Sequence, residues 1–173
     1  MELWDIYTKD RIKTGKTKKR SDPFLTGEYH LVVHVCIINS QGKMLIQQRQ
    51  PFKDGWPNMW DITVGGSSIA GENSAQAAHR ELKEEIGLSV DFTDIRPHLT
   101  VNFEFGFDDY YLLEMDVDST TLQLQYEEVK AVKWASCSDI ISMEKEGLFI
   151  PYYKNLIELL FVMRKRYSSH YKD

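Results

Sequence analysis

Apolar residues alternate or cluster in short runs along most of the chain, and the breaks between the runs mark the predicted elements. Residues 2–7, a turn at Lys9-Asp10-Arg11, and Ile12-Lys13-Thr14 predict an N-terminal hairpin. Val, Ile and Tyr crowd Tyr29–Ile38. The turn Asn39-Ser40-Gln41-Gly42 then sends the chain back through Lys43–Gln48, a second hairpin. Pro51, Gly55 and Pro57 mark a loop, with a strand expected at Met59–Val64. The period changes to helical over Ser74–Ile86, with Asn73 or Ser74 as cap and Gly87 just past the end. Leu99–Phe105 and Tyr110–Asp116 predict paired strands around a turn at Gly106-Phe107-Asp108-Asp109, and Val129–Ala135 a further strand. Ser138–Glu146 predicts a short helix stopped by Gly147. Pro151–Arg166 predicts a longer one with apolar spacing at Leu156, Leu159, Leu160 and Met163. Strands with helices between them and at the end indicate an α/β fold.

Composition narrows the class. With 173 residues, 42% hydrophobic and 27% charged, the chain suits one domain with a short extension, and its core needs no covalent staples. Cys36 and Cys137 form no framework or Cys-x-x-Cys signal, so a reducing, cytoplasmic setting is expected. No apolar run approaches a membrane span, and the acidic start Met-Glu-Leu-Trp-Asp is unlike a secretory signal. The net charge of −5 is uneven. Residues 1–20 hold seven Lys/Arg against three Asp/Glu, and the rest of the chain is acidic. The stretch Lys13, Lys16, Lys18, Lys19, Arg20 is either a phosphate-attracting arm or a solvated leader. No specific nucleic-acid binding is expected of the acidic body.

The predicted helix 74–86 carries the chemistry. At about 100° per residue, Glu85 lies about 40° to one side of Glu81 and Glu84 about 60° to the other. Three carboxylates thus share one arc, beside an apolar stripe of Ala75, Ala78, Leu82 and Ile86. Like charges at this spacing repel. A hard divalent cation with oxygen ligands relieves them, Mg²⁺ above all. A solvent-facing acidic helix is the competing reading of the glutamates alone. Against it stand Val64-Gly65-Gly66, which lets backbone approach a ligand closely, and Arg80, which can pin a neighbouring carboxylate.

Gly66, five residues, Glu72, seven residues, then Arg80-Glu81-Leu82-x-Glu84-Glu85-x-Gly87-Leu88 resembles the full Nudix box without a departure. The resemblance covers roughly residues 28–165. It implies a Nudix-type α/β/α sandwich with a mixed sheet, divided as a basic hairpin extension at 1–27 and a Nudix domain at 28–173. It also implies Mg²⁺-dependent hydrolysis of a diphosphate linkage in a nucleoside diphosphate derivative or related organic diphosphate, with Mn²⁺ a possible substitute. The expected metal ligands are Glu81, Glu84, Glu85 and a carbonyl near Gly66, with Arg80 orienting a glutamate and Glu72 structural. Glu81, Glu84, Arg80 and Glu128, six residues before Trp134, form the expected catalytic set. Glu81 and Glu128 are the candidate bases, ahead of Glu127, Asp108 and Asp109. Arg49, Trp60 and Phe105 are expected at the substrate. Trp56, Phe103, Phe107, Tyr110 and Tyr111 are further aromatics for stacking or for the core. A homodimer is expected, with residues 1–20 at the interface or at the rim of the site, because Leu3, Trp4, Ile6 and Tyr7 need burial.

Asp5-Ile6-Tyr7 … Gly15, Tyr29-His30-Leu31-Val32-Val33-His34 and Leu45-Ile46-Gln47-Gln48-Arg49 also resemble the isopentenyl-diphosphate isomerase branch of that superfamily. His30, His34 and Cys36 share a strand face at period two, which suits a metal pair or a packed core. The resemblance implies that an isomerase would need a cysteine and then a histidine where this chain has Thr63-Val64-Gly65-Gly66. It would also need glutamates where this chain has Phe105 and Phe107. A hydrolase on an isomerase-like architecture is therefore expected. The alternatives are the isomerase itself and an idle ligand sensor on the same scaffold.

Overall fold

The computed structural model describes residues 2–170; the outer limits expected at residues 1 and 173 lie outside the described residues. The N-terminal hairpin forms as expected from Leu3–Tyr7 (β1) and an antiparallel Lys13–Lys19 (β2), the second strand running further than its apolar content suggests. A separate seven-stranded mixed sheet contains His30–Ile38 (β3), Met44–Arg49 (β4), Trp60–Asp61 (β5), Val64–Ser67 (β6), Leu99–Phe103 (β7), Gly106–Glu114 (β8) and Val129–Ala135 (β9). Its main path runs β5-β4-β3-β8-β7, with β9 on β4 and β6 on β3.

The period-two alternation of β3 builds both cores. Val33, Val35 and Ile37 face Ser74–Ile86 (α1) with its buried Ala77, Ala78, Leu82 and Ile86. Cys36 and Ile38 face Cys137–Lys145 (α2) and Lys154–Met163 (α3), with Ile140, Met143, Ile157, Leu160 and Phe161. Helices thus cover both faces, the expected α/β/α sandwich. No described helix is long and apolar enough to cross a membrane.

Local signals set α1. Asn73 accepts from the Gln76 N–H while the Gln76 side chain returns to the Asn73 N–H, a complete capping box. Gly87 ends the helix at a φ of 74°, a left-handed conformation that favours glycine.

Three expectations are corrected. The strand expected at Met59–Val64 is two short ones, because the chain leaves β4 after Asp61 and joins β3 at Val64. The turn expected at Gly106–Asp109 is strand. The chain reverses at Glu104-Phe105, with Phe103 opposite Gly106. Gly106 is needed for close packing there, since a Cβ would lie 2.3 Å from the His30 carbonyl oxygen. The last helix begins only at Lys154, and Leu159 points outward while Ile157 and Phe161 join Leu160 in the core.

The motive for pairing through the hairpin also changes. Trp4, Ile6 and Tyr7 are buried against their own chain, and of the four apolar residues only Leu3 is exposed. Trp4 stacks on the His30 ring with centroids 4.5 Å apart, and Phe24 packs on the same ring at 4.8 Å.

That burial lowers the His30 pKa to about 4, partly offset by the charge of Asp108. The unfolded chain therefore takes up this proton near 6.5, before the folded one does, and stability falls as the pH drops from about 6.5 toward 4. His30→Phe is expected to remove a loss on the order of 2–3 kcal/mol over that interval. Denaturant midpoints of both proteins at pH 7 and pH 4.5 test this; equal acid losses would refute a neutral buried ring.

Candidate active site

The cleft opens where two neighbouring strands part. β4 touches β3 through a single register pair, Ile38 with Met44; beyond it β4 pairs with β5 and β9 while β3 pairs with β6. Thr63 bridges the fork: its hydroxyl accepts from the Ile37 N–H at 2.9 Å and donates to the Leu45 carbonyl. Nothing in the pattern of the sequence marked that role. The resulting cleft holds about 700 Å³ and is lined by α1, β6, the end of β4 and the loop after it, the start of β9 and the N-terminal hairpin.

Glu81, Glu84 and Glu85 all line this cleft, but at different depths. Glu85 is buried, Glu81 is mostly buried and Glu84 is exposed. Arg80 holds two of them, Glu81 and Glu84. Its Nε and Nη2 donate to the two oxygens of Glu72 at 2.7 and 3.0 Å, and Nη2 also donates to the Ser67 carbonyl at 3.0 Å. Its Nη1 donates to Glu81 at 2.8 Å and to Glu84 at 3.1 Å. Glu72 additionally accepts the Ile69 N–H, so its role is to fold the loop before the helix.

Burial raises the Glu81 carboxyl above its ordinary value, with Arg80 pulling it back. Glu85 has no such help. Burial, and then the charge of Glu81, push it well up, and its one hydrogen-bond donor is the neutral Gln47 at 2.8 Å. Gln47 follows Leu45 at period two, on the face toward α1, and that alternation is the sequence signal for its place.

These residues fit a divalent cation. The donors are hard oxygens, and the deepest lacks a countercharge. At Gly66 a Cβ would stand 2.2 Å from Glu81 Oε1, so only glycine leaves the carboxylate its place against β6. Among the described residues no three His, Cys, Asp or Glu side chains form a metal cage as they stand, and Arg80 holds an oxygen each of Glu81 and Glu84.

The same cleft carries positive charge. Arg49 donates through Nε to the Gly55 carbonyl at 2.9 Å, and Lys53 pairs with Glu128, both ends of that pair lining the cleft. Glu127 is exposed. Trp60 and Phe105 do not reach the cleft. Trp60 packs on the α2–α3 core under the Lys133 ammonium, and Phe105 stacks on Phe24. Trp56 and Phe103 line the cleft instead. Tyr110 lines it too, whereas Phe107 and Tyr111 are core residues.

Sequence reasoning missed Lys53, Asp61 and Tyr152. Buried Asp61 accepts the Tyr152 hydroxyl at 2.8 Å across 91 positions, a contact no local pattern encodes. His34, stacked on Tyr110, meets Asp108 at 3.2 Å; His30 lies apart in its aromatic stack, so the two do not form a metal pair. Asp109 is fully buried and held by Arg11, Thr100 and Ser74, which leaves it no part as a base.

The chain matches the NUDIX domain over residues 28–159. It is 43% identical over 171 residues to a Nudix hydrolase of Listeria innocua, covering 99% of this chain and 100% of the relative. A solved structure from Deinococcus radiodurans superposes with a TM-score of 0.74 at 26% identity, covering 92% of this chain and 97% of that one. An isopentenyl-diphosphate Delta-isomerase of Salmonella arizonae is 26% identical over 136 residues, with 74% of this chain and 73% of the relative covered. With its box helix, fork and carboxylates in place, the chain belongs to the Nudix hydrolase family.

Proposed function

We propose that this enzyme hydrolyses a diphosphate linkage in a nucleoside diphosphate derivative or related organic diphosphate, with Mg²⁺ as the ion, acting in the cytoplasm as a homodimer. The observation that carries the hydrolytic reading is that one cleft is lined both by the carboxylates of α1 and by Arg49 and Lys53. Enzymes of this family generally use divalent metal ions. Glu81, Glu84, Glu85 and the Gly66 backbone would hold the ion, which when bound neutralises phosphate charge and acidifies a water.

The protein's own groups do the rest. Arg80 keeps Glu81 and Glu84 at the cleft, and their oxygens would draw closer together on holding an ion. Arg49 retains its terminal nitrogens for phosphate oxygens, since the bond to Gly55 uses only Nε. Glu128, paired with Lys53 at the cleft, is a carboxylate outside the ligand set placed to accept a proton from water; Glu81 is the alternative. Trp56 and Phe103 offer aromatic surface to the organic group.

The test is a panel of diphosphates with Mg²⁺, both phosphate products being separated by chromatography. Glu85→Gln should lose at least ~10²-fold in rate. The amide can still accept from Gln47, and a buried charge is removed, so the thermal midpoint without Mg²⁺ should hold or rise. Activity like the wild type in that variant would sink the assignment.

The isomerase relatives favour a second reading, and the site weighs against it. Cys36 is fully buried in the α2–α3 core, where burial pushes the thiol far up, and the stretch Thr63-Val64-Gly65-Gly66 offers no thiol. Cys36→Ala should therefore keep hydrolysis within about threefold, under ~0.7 kcal/mol of barrier. Isopentenyl diphosphate should give no isomerised product. Alkylation of Cys36 that stopped turnover, with substrate protecting it, would restore the isomerase reading.

A further inference from the structure

The N-terminal hairpin lies outside the residues matched by the family domain, yet it grips the segment that leads into α1 from both ends. At the loop, the Leu3 carbonyl accepts the Ala70 N–H at 2.7 Å, and the Asp5 carboxylate accepts the Gly71 N–H at 2.9 Å. The same Asp5 oxygen accepts from Lys13 Nζ at 2.6 Å, and Lys13 also donates to the Glu72 carbonyl at 2.7 Å. At the helix start, Arg11 and the Ser74 hydroxyl meet on the buried carboxylate of Asp109. Between these two grips sits Glu72, whose carboxylate receives both the Nε and the Nη2 of Arg80. The guanidinium that orients Glu81 and Glu84 is thus itself aimed by a residue whose backbone the hairpin holds. The hairpin ends also reach the cleft: Glu2 and Arg20 line it, paired with each other at 3.2 Å.

We propose that Asp5 and Lys13 are positioning residues for the catalytic carboxylates. They act through the 70–72 loop and the Glu72–Arg80 contact, so the hairpin is a working part of the active site. This rests on the hydrolase reading only for its effect on turnover. Asp5 is mostly buried and Lys13 is exposed, and the two are linked to Arg80 through Glu72, whose backbone carbonyl takes Lys13 and whose carboxylate takes Arg80. Loss of either frees the loop backbone while leaving the apolar anchors Trp4, Ile6 and Tyr7 in place, so the hairpin stays docked.

The test compares the wild type with Asp5→Ala, Lys13→Ala, Lys13→Arg and the double Asp5→Ala/Lys13→Ala variant. Mn²⁺ affinity by calorimetry, amide hydrogen exchange over residues 69–81, and kcat and KM are read for each. The alanine variants should bind Mn²⁺ at least about fivefold more weakly and lose protection over residues 69–81. Their kcat should fall at least about tenfold with KM within twofold, because the groups displaced are those that act in the transition state. Lys13→Arg should recover most of both. The double variant should be no worse than about twofold beyond the worse single one, since the pair acts as a unit. A lowered thermal midpoint with unchanged Mn²⁺ affinity and unchanged kcat would overturn the proposal and leave the hairpin a brace. If the wild type cleaved no diphosphate while the alanine variants still lost Mn²⁺ affinity and protection, the hydrolase reading would fall and the coupling would stand.

Discussion

Arg80 is the cation that three carboxylates share: Glu72, Glu81 and Glu84. Glu81 and Glu84 are three positions apart on one arc, Glu72 folds back against them, and each adds negative charge to a partly buried place. A single guanidinium meets all three because its donors lie in a planar fork: one side takes both oxygens of Glu72, the other reaches Glu81 and Glu84. A lysine offers one point charge and could not span that set. The arrangement also explains why Glu85, one turn beyond Glu81, is left with only an amide donor: the fork is already fully used.

The second constraint is the fork in the sheet. Strands that stay paired bury their backbone groups in a continuous ladder, which leaves no room for a polar cleft. Here β3 and β4 meet at one pair only, and each finds other partners, β6 on one side and β5 and β9 on the other. Thr63 takes the Ile37 N–H and gives its proton to the Leu45 carbonyl, so the parting leaves neither group unsatisfied at that point. Glu85 and Gln47 then occupy the opening without meeting a wall of backbone.

What was legible in the sequence is what local chemistry decides. The limits of α1 follow from a capping box and a left-handed glycine, both encoded within a few residues, and the face of the helix follows from its period. The same reliance on local chemistry misplaced the β7–β8 turn. Gly106 followed by Phe107, Asp108 and Asp109 has turn composition, but the glycine answers the His30 carbonyl from β3 and Asp109 answers Arg11 from the hairpin. Both partners are more than seventy positions away. Trp60 and Phe105 were misassigned for a related reason: an aromatic ring serves a core or a ligand equally well, and only the fold decides which. Trp56, exposed and at a positive φ of 49°, is the aromatic that the loop presents to the cleft.

The charge asymmetry of the chain takes on a different meaning once the contacts are known. A basic stretch before an acidic body suggests an arm reaching for a polyanion, but its charges are largely spent within the molecule: Lys13 on Asp5, Lys18 on Glu28, Arg11 on Asp109 and Arg20 on Glu2. The most exposed of these pairs, Arg20 with Glu2, adds little stability. Their value lies in direction, since a charged hydrogen bond to a backbone group fixes where a loop sits more than how tightly the domain folds. The acidic body, for its part, concentrates its least compensated carboxylate at Glu85, inside the cleft rather than on the surface. A fold that only maximised stability would have placed an apolar or amide side chain there. Keeping a poorly matched buried carboxylate facing a cleft walled by Arg49 and Lys53 is the mark of a site whose electrostatics are completed from outside the chain.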